Sequence, residues 1–249
     1  MNDELSKVAI VTGGSRGIGL AISKELARTG IGRIVVCDID DEEGRLASEE
    51  LQKDFGIQSD FIRMDVSNEQ EVVAAFSKIW DEAGRLDVLV NNAGVVDDAF
   101  LEKLDLEKWN RVIGVSLTGT FNCTKQAIGL MKRNEGGRIL NLASVSAEIG
   151  NIGQANYVAA KGGIIAFTKT AARECARYGI LVNAIAPGFV RTRMTASIRP
   201  DITEKIVSQI PLRRYAEPEE IARLARFLVS EENTYITGQT VNINGGLYV

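Results

Sequence analysis

The stretch GNIGQANYVAAKGG, residues 150–163, sets Tyr157 and Lys161 four positions apart among small residues, with Ser144 thirteen positions before the tyrosine. A helix puts residues i and i+4 on one face, so a helical reading places the lysine beside the phenol. A free phenol, with a pKa of about 10, is a poor acid near neutral pH. A neighbouring ammonium stabilises the phenolate and makes the proton easier to give and to take back. Proton exchange with a substrate oxygen is the chemistry open to such a pair. A lone Tyr-x-x-x-Lys is equally what a core tyrosine with a snorkelling lysine looks like. The chain has no histidine, which excludes Ser-His-Asp and Cys-His catalysis and imidazole metal sites. Any proton must pass through Tyr, Lys, Asp, Glu, Ser or water.

A second constellation is VTGGSRGIG, residues 11–19. Gly13, Gly17 and Gly19 are spaced G-x-x-x-G-x-G, with Ser15, Arg16 and Ile18 between them. Glycine lets backbone approach a pyrophosphate, and the start of a helix favours the anion. A tight strand-to-helix turn with no ligand gives the same pattern. Asp38, followed by Ile39, ends the next strand-like run nineteen residues beyond Gly19. There an acidic side chain accepts hydrogen bonds from the adenosine ribose hydroxyls. A strand-end or helix-capping aspartate is the alternative, since Asp40, Asp41, Glu42 and Glu43 follow it. Asp38 repels the 2′-phosphate of NADP and favours NAD. Arg16 pulls towards NADP, because an arginine in this loop can pair with that phosphate. Asp38 carries more weight, since its charge faces the phosphate directly, so NAD is expected.

These residues need a scaffold. Apolar runs at 7–13, 33–38, 59–65, 86–92, 138–144, 181–187 and 240–244 read as strands, several of them nearly continuous Val, Ile and Leu. That is the signature of parallel strands buried on both faces. Helical patterns lie between them; SNEQEVVAAFSKIWDEAG opens on a Ser or Asn cap and closes at Gly84. The alternation predicts one α/β domain over 1–249, a doubly wound parallel sheet with helices on both faces. Residues 188–216 break the pattern with Arg191, Arg193, Arg199, Arg213, Arg214 and two prolines. They follow a strand end, where ligands bind in such sheets, and read as a lid.

With 249 residues, 45% of them hydrophobic, the chain can bury a sizeable core. Its 29 basic and 33 acidic residues leave no electrostatic footprint for nucleic acid. Cys37, Cys123 and Cys175 are scattered and odd in number, so reduced, buried thiols, no metal site and a cytoplasmic protein are expected. The acidic start MNDELSK has no apolar core of a leader, and no run approaches a membrane span.

Together TGGSRGIG, NNAG (91–94), Ser144, YVAAK (157–161) and PGFVRT (187–192) resemble the short-chain dehydrogenase/reductase family, from about residue 7 to 246. Within it, GQANYVAAKGG, APGFVRTRM and NINGGL look most like 3-oxoacyl-[acyl-carrier-protein] reductases and acetoacetyl-CoA reductases. The resemblance implies a seven-stranded Rossmann-type sheet and a catalytic Ser, Tyr, Lys and usually Asn. The first three map onto Ser144, Tyr157 and Lys161. Ser144 would hold the substrate oxygen, Tyr157 would exchange the proton, and Lys161 would also bind the nicotinamide ribose. The family's asparagine is replaced by Ser116, a shorter hydroxyl that alters the proton relay to solvent. Asp65 and Val66 would flank the adenine, and Asn92, Ala93 and Gly94 the ribose. Asn91 and Asn92 serve equally well as strand-end scaffold. Pro187, Gly188, Val190 and Thr192 would bracket the nicotinamide, while Ile149, Gln154, Tyr157 and the lid face the substrate. The resemblance further implies a homotetramer built on two long helices, 100–133 and 155–178. It also places a basic patch for an acyl carrier protein at the mouth of the site, around the ends of the two long helices, where Lys132, Arg133 and Arg177 are the nearest basic residues and lid arginines Arg191 and Arg193 could add to them; a solvated surface face is the alternative reading of such scattered charges.

The expected activity is reduction of 3-oxoacyl thioesters. Asp38 favours the alternative, an NAD-dependent secondary alcohol, diol or sugar dehydrogenase. A non-catalytic nucleotide-binding protein is the third reading; Ser116 lends it slight support, and intact Ser144, Tyr157 and Lys161 oppose it.

Overall fold

A computed structural model describes residues 7–249; residues 1–6, most of the acidic start that carries the no-leader reading, lie outside them. Strands β1 (Val8–Thr12), β2 (Arg33–Asp38), β3 (Gln58–Arg63), β4 (Val88–Asn91), β5 (Gly137–Leu142), β6 (Ile180–Pro187) and β7 (Thr240–Ile243) form one sheet. Its order is β3-β2-β1-β4-β5-β6-β7, and every neighbouring pair is parallel. The helices are α1 (Gly17–Arg28), α2 (Asp41–Phe55), α3 (Glu69–Ala83), α4 (Leu106–Val112), α5 (Gly119–Met131), α6 (Ser146–Ile149), α7 (Ala155–Cys175), α8 (Arg193–Ala196), α9 (Pro200–Gln209) and α10 (Pro218–Val229).

The near-continuous apolar strands are explained by two cores. Ala9, Val11, Ile34 and Val36 face one side, under α1, α2 and α10. Their neighbours Val8, Ile10, Val35 and Cys37 face the other, with side chains of α3, α5 and α7. Successive strand side chains point to opposite faces, so a strand covered on both sides must be apolar throughout. All three cysteines are buried free thiols. The expected cap of α3 is Asn68, whose side chain accepts from the amides of Gln70 and Glu71, and Gly84 closes the helix in the left-handed region. The strand order reverses between β1 and β4, which opens the crevice at the strands' C-terminal ends.

The helix expected over 100–133 is broken. A 3₁₀ turn spans Leu101–Lys103, and Asp105 caps α4 by accepting from the Lys108 amide at 2.8 Å. A π-helical turn, Ile113–Thr118, then joins α4 to α5. Thr120 Oγ1 donates to the Ser116 carbonyl (2.7 Å) inside this irregular turn. Such turns are frequent at functional sites. The second helix runs as expected, α7 continuing through a 3₁₀ turn to Tyr178.

Residues 188–216, the segment expected as a lid, carry α8 and α9. None of residues 191–209 is buried. The segment is pinned at its ends, by Val190, which bridges to Ala216, and by buried Ile210 and Tyr215.

Candidate active site

The cradle is built where β1 ends. Gly17 opens α1 with φ +55°, and a Cβ there would meet the Thr192 methyl at 3.5 Å. At Gly19 an added Cβ would lie 2.2 Å from the Gly13 carbonyl oxygen, so the turn closes only on glycine. The α1 N-terminus has no acidic residue in its first turn and, among the described residues, no side-chain cap. Its free amides suit a pyrophosphate. These features fit a dinucleotide.

Asp38 stands at the rim. One carboxylate oxygen accepts from the Ile39 amide (2.8 Å) and the Asp40 amide (3.3 Å). The other accepts from the Ser15 amide (3.3 Å) and hydroxyl. The carboxylate thus ties the glycine loop to the end of β2. Arg16 leans to Asp40 at 3.4 Å, which tempers its pull towards a 2′-phosphate.

The two asparagines after β4 divide the scaffold work. Asn91 is buried and donates to Thr124 Oγ1 (3.0 Å) and Asn141 Oδ1 (2.9 Å). Asn92 donates to the carbonyls of Thr12 (3.0 Å) and Gly13 (2.8 Å), stapling the cradle to β4. Its amide NH₂ is therefore committed to the loop. Ala93 and Gly94 follow on the cleft wall. Asp65 turns the chain after β3 by accepting from the Ser67 amide (2.9 Å) and hydroxyl (2.7 Å). Val66 is buried, and its carbonyl accepts from Asn122 of α5 (3.0 Å).

The first turns of α7 set Lys161 beside Tyr157. Lys161 is 4% exposed, and its Nζ lies 5.6 Å from the Tyr157 ring centroid while donating to the Leu142 carbonyl (2.6 Å). Burial pushes the ammonium down to about 8. Tyr157 is pushed above its ordinary value, chiefly by burial and also by the Asp98 charge, against a hydrogen bond with Ser144 that lowers it. Ser144 Oγ accepts from the Ser146 amide (3.2 Å), and its hydroxyl is hydrogen-bonded to the Tyr157 phenol, so the two hydroxyls share one end of the site. Ser116 is fully buried, and its Oγ meets no hydrogen-bond partner among the described residues. An added Cβ on Gly94 would sit 3.4 Å from Ser116 Oγ and 3.5 Å from Lys161 Nζ. The π turn therefore brings Ser116 to the lysine end of the site.

On the other wall, Pro187 ends β6 and its carbonyl accepts from the Val145 amide (2.9 Å). Gly188 packs so closely on Asn244 that a Cβ would lie 2.8 Å from its Cα. Thr192 caps α8 in a reciprocal pair with Thr195. Ile149 is exposed at the end of α6. Gln154 is held by neighbours: its Nε2 donates to the Asp98 carboxylate (3.0 and 3.2 Å), and its carbonyl oxygen accepts from Asn151 (2.8 Å). Asp98 and Asn156 escaped sequence reasoning. Asn156 is buried, donates to the Asp97 carbonyl (2.9 Å) and accepts from the Tyr157 amide (2.8 Å). Only its place next to Tyr157 hinted at a role.

The basic patch is elsewhere than expected. Lys132 and Arg177 stack on Tyr178, with Nζ and Cζ at 4.0 and 4.7 Å from the ring centroid, and Arg133 lies over Trp80 at 5.0 Å. These residues gather where α5 and α7 end, the edge where strands begin. Twenty helical residues separate Tyr157 from Arg177, about 30 Å at 1.5 Å per residue. The patch is therefore not at the mouth of this chain's own site. Arg191 and Arg193 do not join it, being paired with Glu217 (2.8 Å) and Glu43 (2.7 Å).

Among the described residues no helix is long and apolar enough to cross a membrane. Residues 13–248 match the family model described as enoyl-(acyl carrier protein) reductase. The chain is 43% identical over 246 residues to a Staphylococcus aureus protein named 3-oxoacyl-[acyl-carrier-protein] reductase FabG, covering 99% of this chain and 100% of that one. The proteins of that name from Staphylococcus epidermidis (42% over 245 residues, 98% and 100% covered) and Aquifex aeolicus (40% over 242 residues, 97% of each) are similar along the same span. A glycine cradle on the first strand, a strand-end aspartate and a Ser, Tyr and Lys gathered at the β1–β4 crevice agree with that likeness over the full chain, and the protein is an oxidoreductase of the short-chain dehydrogenase/reductase family.

Proposed function

We propose that this enzyme reduces 3-oxoacyl thioesters to 3-hydroxyacyl thioesters with a nicotinamide cofactor, and prefers NADH. The observation that carries the reading is the buried Lys161 ammonium beside Tyr157, near a cradle whose helix has no side-chain cap among the described residues. The names of the similar proteins support the acyl thioester as substrate. A bound nicotinamide supplies the hydride. The chain's own residues manage the oxygen. Ser144, oriented by the Ser146 amide, donates to the carbonyl oxygen. Tyr157 gives that oxygen its proton as charge develops, and Lys161 stabilises the phenolate left behind. Lys161 would also hold the nicotinamide ribose, and Ser116 lies beside it, where the family's asparagine would stand. Asp38 supports NADH, since a carboxylate at the ribose position opposes a 2′-phosphate.

The carrier protein is part of this proposal. Carrier proteins are acidic, and the Lys132, Arg133 and Arg177 patch suits them. At about 30 Å from its own Tyr157, the patch would serve the site of an adjoining copy in a homotetramer.

A panel of acetoacetyl-CoA, a 3-oxoacyl carrier-protein thioester and simple diols, each with both cofactors, tests the reading. Thioester reduction with NADH at least tenfold above NADPH in kcat/KM is expected, one decade corresponding to about 1.4 kcal/mol. Equal or NADPH-favouring values remove the cofactor assignment. Turnover of diols alone would establish the second reading, an NAD-dependent alcohol dehydrogenase, which Asp38 favours.

A further inference from the structure

We propose that Asp98 makes the site selective for neutral 3-oxoacyl derivatives, thioesters and esters, over free 3-oxo acids. The inference rests on the function proposed above and names what that site rejects. Asp98 stands on the wall that carries the start of α7. The Ala99 amide donates to the Gly153 carbonyl (2.9 Å), and Ala99 bridges to Gln154. The Asp98 carboxylate accepts from Gln154 Nε2 at 3.0 and 3.2 Å, three residues before Tyr157. Asp98 itself is exposed, on the loop that follows β4 and beside the first turn of α7. It also raises the Tyr157 phenol, which places the charge within electrostatic reach of the reacting oxygen.

The cations nearby are already engaged. Lys108 and Arg111 on the same wall pair with Asp97 at 3.2 and 3.3 Å. Lid arginines Arg191 and Arg193 pair with Glu217 and Glu43. Lys161 is buried behind the phenol on the Leu142 carbonyl. A 3-oxo acid carries its carboxylate two bonds from the carbonyl being reduced. In this site that charge meets the Asp98 carboxylate and none of these cations. A thioester places an uncharged group there. Like charges several ångströms apart near a protein surface are worth about tenfold in an equilibrium.

The test compares acetoacetate with the neutral N-acetylcysteamine thioester of acetoacetate, in wild-type enzyme, Asp98→Asn and Asp97→Asn. The readout is the ratio of kcat/KM for thioester over acid. Asparagine can still accept from Gln154, and any general loss of activity acts on both substrates and cancels in the ratio. The wild-type ratio is expected to exceed a hundred. Asp98→Asn should lower it about tenfold, through a gain with the acid, while Asp97→Asn leaves the ratio within about twofold. An unchanged ratio in Asp98→Asn, or an equal fall in both variants, overturns the role of Asp98 and leaves thioester reduction standing. Wild-type enzyme reducing neither substrate overturns the proposed function and this inference together.

Discussion

The Tyr157 phenol sits above its ordinary value, chiefly because it is buried, and the Lys161 ammonium is pushed down to about 8 by its own burial. A lowered lysine means that the folded protein sheds this proton before the unfolded chain does. Its charge therefore costs stability below about pH 8, and that cost fades as pH rises from there towards 10.5, the ordinary value. Catalysis runs the opposite way, since only the ammonium supports a phenolate. In the reductive direction kcat/KM should fall as pH rises through about 8; a profile flat to about pH 9.5 would show that the Lys161 charge is not needed. Tyr157→Phe removes the donor and keeps the ring packing. Activity should drop at least a hundredfold, in line with general acid contributions, with cofactor affinity nearly unchanged by fluorescence titration. Near-wild-type turnover in this variant would assign the proton to another group.

Short elements set the site's edges. The π turn at 113–118 delivers Ser116 to Lys161 in a helix that otherwise packs on β4 and β5. The lid has no buried residue between 191 and 209, so it is held by its ends and by polar contacts. One of these contacts crosses the cofactor groove: Arg193 of α8 reaches Glu43 in the first turn of α2 at 2.7 Å. Thr192, next to it, lies over Gly17 of the cradle. Exposed ion pairs contribute about 0.2–1 kcal/mol, so Arg193→Gln should speed NADH release by up to about fivefold. Added salt should erase most of the difference, because it screens the pair in the wild type. The charge-swapped double variant, Arg193→Glu with Glu43→Arg, should recover slow release. Stopped-flow release rates that ignore both changes would show that the pair does not hold the lid.

At the scale of the whole molecule, large apolar side chains stand exposed on and before the helices that precede β5. Phe121 is 45% exposed and packs edge-on against Phe167, with ring centroids 6.3 Å apart. Phe100, Leu101 and Leu106, before and within α4, are exposed as well. Gly163 of α7 is filled from within the chain, since a Cβ there would lie 2.7 Å from Leu117, whereas Gly162 has open space. The exposed Phe121–Phe167 pair on α5 and α7 suits the proposed helix-to-helix contact of a homotetramer. Phe121→Glu should shift the assembly towards smaller species in sedimentation at micromolar concentration, and a wild-type monomer there would refute the contact. The docking patch makes a separate prediction. Arg133→Glu with Arg177→Glu should raise KM for a carrier-protein thioester several-fold and flatten its salt dependence, leaving acetoacetyl-CoA little affected. Equal effects on both substrates would remove the carrier protein as a partner.

The inner strands were legible because burial on both faces forces nearly unbroken runs of Val, Ile and Leu, and each observed strand end, those of the part-exposed β3 and β7 included, falls within two residues of its expected place. The cradle and the Tyr157–Lys161 pair were legible for a related reason. Their geometry is local, set by helix pitch and by glycine at a few fixed spacings. Contacts between residues far apart in the chain were not legible. Asp98 meets Gln154, and Asp38 meets Ser15, only because the sheet brings those loops to one edge. The break in the expected 100–133 helix was hidden too, since a π turn leaves the same apolar residues in view and shifts only the ladder beneath them. The basic patch is the clearest case. Charges at 132, 133 and 177 can be read in sequence, but the direction of α7 decides that they sit about 30 Å from the tyrosine they were expected to serve.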